Sequence, residues 1–119
     1  VGLPSDHRLK NWQYFQKVYR QGKRYQSHHL IIKVLSPEDD QMIPTRFGIS
    51  ISKKVCKKAV TRNRLKRQIK AVIRTLLPQI SPGWQIIIMV KPVINQCEYE
   101  HFLRELKELL LKAEVLYGN

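Results

Sequence analysis

The sequence predicts an α+β sandwich, helices packed on a four-stranded sheet, and three observations carry that fold class. Residues 46–52, RFGISIS, alternate apolar with small or polar side chains at period two, the pattern of a half-buried strand. Residues 84–90, WQIIIMV, are almost continuously apolar, as in a strand covered on both sides. Leu65, Ile69, Val72, Ile73 and Leu76 recur at helical spacing and define one apolar face. A length of 119 residues leaves room for one core only, and a 43% hydrophobic content suffices to build it. Residues 1–119 are therefore read as a single domain.

The elements follow in order. Asn11 suits the cap of a helix over residues 12–21, with Gly22 as its left-handed stop. Trp12, Phe15 and Tyr19 share one stripe of that helix. Residues 25–35 read as strand, with Leu30, Ile32 and Val34 on one side and His29, Ile31 and Lys33 on the other. Residues 36–40, holding Pro37 and three acids, form a loop. In the 46–52 strand, Phe47, Ile49 and Ile51 face one way and Gly48, Ser50 and Ser52 the other. A second helix begins between Ala59 and Thr61 and ends at Pro78, Pro82 and Gly83. Asn95 with Glu98 caps a last helix reaching residue 116. Its inward stripe is Tyr99, Phe102, Leu103, Leu106, Leu110 and Ala113; Glu100, Arg104, Glu105, Glu108 and Lys112 make a mixed-sign outer face.

Charge narrows the function. The formal net charge is +13, from 22 Lys and Arg against 9 acids. Residues 1–74 hold 18 of the cations and 4 of the acids, so the excess is concentrated there. From Lys53 to Arg74 there are ten cations and no acid. Like charges at i,i+4 repel by a few tenths of a kcal/mol each, so a one-sign run on a foldable helix implies an external polyanion, nucleic acid above all. No apolar run approaches the ~20 residues of a membrane helix, and no signal-peptide core opens the chain. The expected address is the cytoplasm, with no membrane partner. Cys56 and Cys97 lack second ligands at zinc spacing and read as free thiols, so no metal site is expected.

The segment SKKVCKKAVTRNRLKRQIKAVIR carries the specific signal. Its Arg62-Asn63-Arg64, followed by Leu65-Lys66-Arg67, closely resembles the signature of the protein subunit of bacterial ribonuclease P. The stretch Arg8 to Arg24, RLKNWQYFQKVYRQGKR, is similar to that family's opening block. RFGISISKKV resembles its strand before the motif, and WQIIIMVKP resembles its last strand. Four ordered blocks extend the resemblance over residues 7–115.

The resemblance implies an αβββαβα order, a short first strand near residues 23–26 and an unusual left-handed βαβ crossover through the second helix. It further implies a protein that binds ribonuclease P RNA and the 5′ leader of precursor tRNA, is monomeric when free, and leaves catalysis to the RNA with Mg²⁺. No catalytic residue is expected in the protein. The implied RNA contacts are Arg62, Asn63, Arg64, Lys66, Arg67, Lys70 and Arg74, extended by Lys53, Lys54, Lys57 and Lys58. Guanidinium forks meet phosphates in pairs and ammonium groups add charge, which suits these residue types to a phosphate ridge. Arg62 lies nearer the apolar side, where bracing the helix start is the alternative to an RNA contact, and Asn63 either hydrogen-bonds RNA or fixes the turn leading into the helix. Phe15 and Tyr19 are the implied walls of a cleft for single-stranded leader, with Ser50 and Ser52 as its open floor. Lys33 stands where many family members carry an aromatic, and there a cation would meet a phosphate in place of a stacked base.

Other readings explain less. A ribosomal or RNA-chaperone protein would share the basic helix but would not promote leader removal. A protein-only nuclease would need His28, His29 or His101 with a carboxylate, and the acids look solubilising. A helix-turn-helix DNA reader would need a short helix before Thr61, where the sequence has a strand and a lysine-rich loop.

Overall fold

The computed structural model describes residues 4–37, 43–52, 57–91 and 99–116. In chain order the regular elements are α1 (Trp12–Gln21), β1 (Lys23–Gln26), β2 (Leu30–Leu35), β3 (Arg46–Ser50), α2 (Ala59–Leu76), β4 (Gln85–Val90) and α3 (Tyr99–Lys112). The strands form one sheet in the order β1-β2-β4-β3. β1 and β2 are antiparallel, as are β2 and β4, while β3 runs parallel to β4 and reaches it through α2. The apolar run of β4 is thus an interior strand, and Ile86, Ile87 and Ile88 are all fully buried.

Burying three consecutive strand residues requires cover on both faces. On one face, Leu30, Ile32 and Val34 of β2, Ile86, Ile88 and Val90 of β4, and Phe47 of β3 meet the apolar sides of α2 and α3. The α2 stripe of Leu65, Ile69, Val72, Ile73 and Leu76 is buried to the last residue. Burial of five such side chains contributes on the order of 7–15 kcal/mol of gross hydrophobic stabilisation. α1 contacts β2 and β4 on the opposite face, where Val18 is its one fully buried residue among those described. The segment before α1 runs beside β3. Leu9 donates its N–H to the Phe47 carbonyl at 2.8 Å and Arg8 bridges Phe47 in parallel, covering an otherwise open strand edge.

Several local expectations need correction. Asn11 does cap α1, its side chain accepting the Gln13 N–H at 2.8 Å. Gly22, however, is not left-handed, since its φ is −68° and ψ 147°. Glycine is needed there for close approach: a Cβ would lie 2.5 Å from the Val18 carbonyl oxygen and 3.2 Å from the Val34 nitrogen. The strand read over 25–35 is two strands, the first being the short one that the resemblance implied near residues 23–26, and they are broken at Ser27–His29 by a turn in which the Ser27 N–H donates to the Leu30 carbonyl. α3 stops at Lys112 rather than 116, because Glu114 takes φ 62° and turns the chain back to bridge Leu116 with Ile80. The expected Asn95–Glu98 cap pair and both cysteines lie outside the described residues.

Glu105 is the largest departure. Expected on the solvent face of α3, it is 3% exposed. Its carboxylate accepts the Ser27 hydroxyl, the His29 backbone N–H at 2.7 Å and the His29 ring at Nδ1. It therefore holds the β1–β2 turn onto α3. Burial, the largest single influence, pushes this carboxyl up. The Ser27 hydroxyl, the His29 N–H and ring, and the His29 charge together outweigh it and leave the carboxyl below its ordinary value.

A group whose folded pKa is depressed stabilises the fold above its unfolded pKa, near 4.3 for Glu, and loses that contribution as pH falls through the lower folded value. Glu105→Gln is expected to cost about 1–3 kcal/mol at pH 7. Urea unfolding should show the gap between the two proteins closing as pH falls from 5 towards 3.

Candidate nucleic-acid interface

α2 is two-sided. Opposite its buried stripe, Asn63, Arg64, Arg67 and Arg74 are exposed, while Lys66 and Lys70 are half-buried. Partial burial of a lysine stem leaves its ammonium at the surface. Arg62 is also half-buried, and its Nη1 donates to the Lys57 carbonyl at 2.9 Å, bracing the helix start. Lys57 and Lys58 are exposed just before the helix, whereas Lys53 and Lys54 lie outside the described residues. No acid occurs anywhere from Gln41 to Cys97, so no carboxylate of that stretch neutralises the row. The geometry is a stiff rod presenting cations turn after turn.

The face under α1 forms a second surface. Register places Arg24, Lys33, Ile87 and Gly48 in one row across the sheet, and Gln26, Ile31, Met89 and Ser50 in the next. The ring of Phe15 lies over Gly48, where an added Cβ would come within 2.9 Å of Cε2. Lys33 donates from Nζ to the Tyr19 carbonyl at 2.7 Å and stands 4.2 Å from the centre of the Tyr19 ring. One of its three donors is thus spent on the last turn of α1, where a cation also complements the helix dipole. Tyr19 remains 49% exposed. The row of Gly48 and Ile87 is buried, but Ile31, Met89 and Ser50 in the neighbouring row are only half-buried.

The structure therefore brings Phe15, Tyr19 and Lys33 together beside a half-exposed strip that includes Ser50, with Ser52 exposed just beyond β3. Ile31 and Met89 belong to the strip and were missed: β4 reads as buried on both sides, and only its register with Ser50 shows that Met89 escapes cover. Trp12 does not join Phe15, since it is 65% exposed on the outer side of α1. From Ser50, eight residues lead to Ala59, so one end of the strip is linked by a short connection to the start of the cationic helix.

The histidines serve a different purpose. His29 is tied to Glu105, its ring 4.4 Å from that of His28 and 5.9 Å from that of His101. Among the described residues no group of three or more His, Cys, Asp or Glu is arranged to hold a metal ion, and no helix there is long and apolar enough to cross a membrane.

Comparison with known proteins gives a consistent result. The family model described as Ribonuclease P matches residues 3–114. The ribonuclease P protein component of Microcystis aeruginosa is 60% identical over 122 residues, covering all of both chains. That of Picosynechococcus is 55% identical, again over the full length of both. Among solved structures, the Staphylococcus aureus RNase P protein superposes with a TM-score of 0.80 at 24% identity, covering 93% of this chain and 98% of that one. The Thermotoga maritima RNase P protein gives 0.77 at 23%, covering 93% and 98%. At these identities the structural matches speak for the shared fold.

The Phe15–Gly48 contact is open to a double-mutant cycle. Gly48→Ala is expected to cost about 1–3 kcal/mol by overpacking against the ring. In a Phe15→Ala background the same change should be close to neutral in urea unfolding, because the obstructing ring is gone.

Proposed function

The chain belongs to the ribonuclease P family, and on that premise we propose that it is the protein subunit of the ribonucleoprotein that removes the 5′ leader of precursor tRNA. The outward row of α2 binds the ribonuclease P RNA. Arg64, Arg67, Lys70 and Arg74 meet successive phosphates, with Asn63, Lys66 and the lysines 53, 54, 57 and 58 extending the contact. Arg62 anchors the helix start and adds its positive charge to the row.

The strip beside α1 takes the single-stranded leader. A base stacked on Phe15 or Tyr19 contributes about 1–3 kcal/mol, and Ser50 and Ser52 leave room for its backbone. Lys33, fixed against Tyr19, supplies a cation at the wall. The protein contributes affinity and alignment, and the RNA carries the chemistry. Mg²⁺ is held by the RNA and substrate. The free protein is monomeric, since a net charge of +13 opposes self-association. It works in the cytoplasm, where precursor tRNA is made.

The observation that carries this reading is the acid-free cation row of α2, set opposite a fully buried apolar stripe, in a chain 60% identical to a ribonuclease P protein component. Mixed with a bacterial ribonuclease P RNA, the protein should allow precursor tRNA cleavage at low Mg²⁺. No gain in rate or in substrate affinity over the RNA alone would overturn the proposal. With about six phosphates neutralised, RNA affinity should fall roughly 10³-fold between 50 and 200 mM salt.

Replacing both Arg64 and Arg67 with Ala should lower the slope of log affinity against log salt by about 2. Stability should change by no more than about 0.5 kcal/mol, because neither side chain is in the core. A filter-binding salt series alongside urea unfolding reads both quantities.

A further inference from the structure

A cavity of about 370 Å³ lies between the ends of α1 and α3 and the β1–β2 edge. Its lining includes Gln21, Lys23, Tyr25, Trp84, Lys112 and Glu114. The volume is within the ~300–1,000 Å³ range of small-ligand sites. The wall combines three chemistries. Tyr25 and Trp84 are half-buried aromatic surfaces. Lys23 and Lys112 are exposed cations, with the Lys23 Nζ 5.5 Å from the centre of the Tyr25 ring. Glu114 is a carboxylate in a chain region where cations are otherwise the charged lining.

Glu114 is also in an unusual backbone position. The Val115 N–H donates to the Leu110 carbonyl at 2.9 Å and the Glu114 N–H to the Leu111 carbonyl at 3.1 Å. That bond pair is a Schellman closure, whose left-handed residue is ordinarily glycine because a Cβ is disfavoured there. Here the residue is Glu114, with φ 62°. No described hydrogen bond or ion pair of its side chain offsets the cost. A non-glycine residue held in a disfavoured conformation at a cavity wall points to a use for the side chain.

We propose that this cavity binds a guanine nucleotide, with the base against Tyr25 and Trp84, its donor edge on the Glu114 carboxylate and its phosphate on Lys23 and Lys112. Guanine presents adjacent N1–H and N2–H donors, which a carboxylate accepts as a bidentate, charge-assisted pair. Adenine and cytosine set a ring acceptor beside their amino group, which the carboxylate repels, and uracil flanks its single N–H with two carbonyls. The site is separate from both RNA surfaces described above. It is tested on the protein alone, so its failure and the failure of the ribonucleoprotein reading are distinguishable.

The experiment uses the full chain carrying Trp12→Phe, which leaves Trp84 as the sole indole reporter. Titration with 5′-GMP should quench Trp84 saturably, at least tenfold tighter than 5′-AMP at matched ionic strength, while inorganic phosphate alone should not. Adding Glu114→Gly should raise Tm by relieving the left-handed residue, and should bring GMP and AMP affinities within threefold of each other. Equal affinities in the parent, unsaturable quenching, or a preference surviving Glu114→Gly would overturn the proposal. A seven-residue oligouridylate with one central guanosine identifies the source. Glu114-dependent binding tighter than GMP supports the site with an RNA guanosine as occupant, and weaker binding supports it with a free nucleotide.

Discussion

Burial of β4 on both sides dictates how the three helices are arranged. Ile86 and Ile88 must be covered from one face and Ile87 from the other, all three being inaccessible to solvent. One layer of helices cannot do this. α2 and α3 therefore take one face and α1 the other, and each helix presents to solvent whatever its inward stripe does not use. The two candidate RNA surfaces follow from that division. The outside of α2 is available because its inside is wholly committed to the core. The strip beside α1 exists because one ten-residue helix covers the Gly48–Ile87 row but leaves the row of Ile31, Met89 and Ser50 half-exposed.

The parts legible in the sequence are those determined within one element. Leu65, Ile69, Val72, Ile73 and Leu76 declare their common face by spacing alone, and all five are buried. The alternation of RFGISIS puts Phe47 in the core and Gly48 beneath α1 for the same reason. The parts that stayed hidden depend on partners distant in sequence. Glu105 sits among Arg104, Lys107 and Glu108 and looks like any solvated helix residue. Only the arrival of Ser27 and His29, 78 and 76 residues away, makes it a buried acceptor. Met89 is likewise indistinguishable from its isoleucine neighbours until register aligns it with Ser50.

Glycine shows the same boundary between local and distant causes. Gly22 follows a helix and so suggests a left-handed stop, yet its backbone is extended and what excludes a side chain is the neighbouring strand. Glu114 is the converse. Two residues past α3 the backbone is left-handed, where a glycine is the usual residue, and the chain supplies a carboxylate instead. Sequence rules identify which residue types suit a conformation; they do not reveal where a chain accepts the unsuitable type.

The cost of crowding cations on α2 can be set against what holds the helix. Arg62 and Lys66, Lys66 and Lys70, and Lys70 and Arg74 are like-charged at i,i+4, while Arg64 and Arg67, and Arg67 and Lys70, are so at i,i+3. At a few tenths of a kcal/mol each, these pairs cost about 1–2 kcal/mol in sum, less at physiological salt. The first turn adds a further penalty. It holds no acid, and Lys58 at the N-cap makes no side-chain cap bond, so positive charge stands at the positive end of the helix dipole. Against this, the buried stripe contributes several times as much. Packing therefore fixes the helix whatever its outer face carries, and that face is free to be set by the partner. An approaching phosphate relieves repulsion already present in the free protein, so part of the binding free energy is stored in the folded chain before the partner arrives.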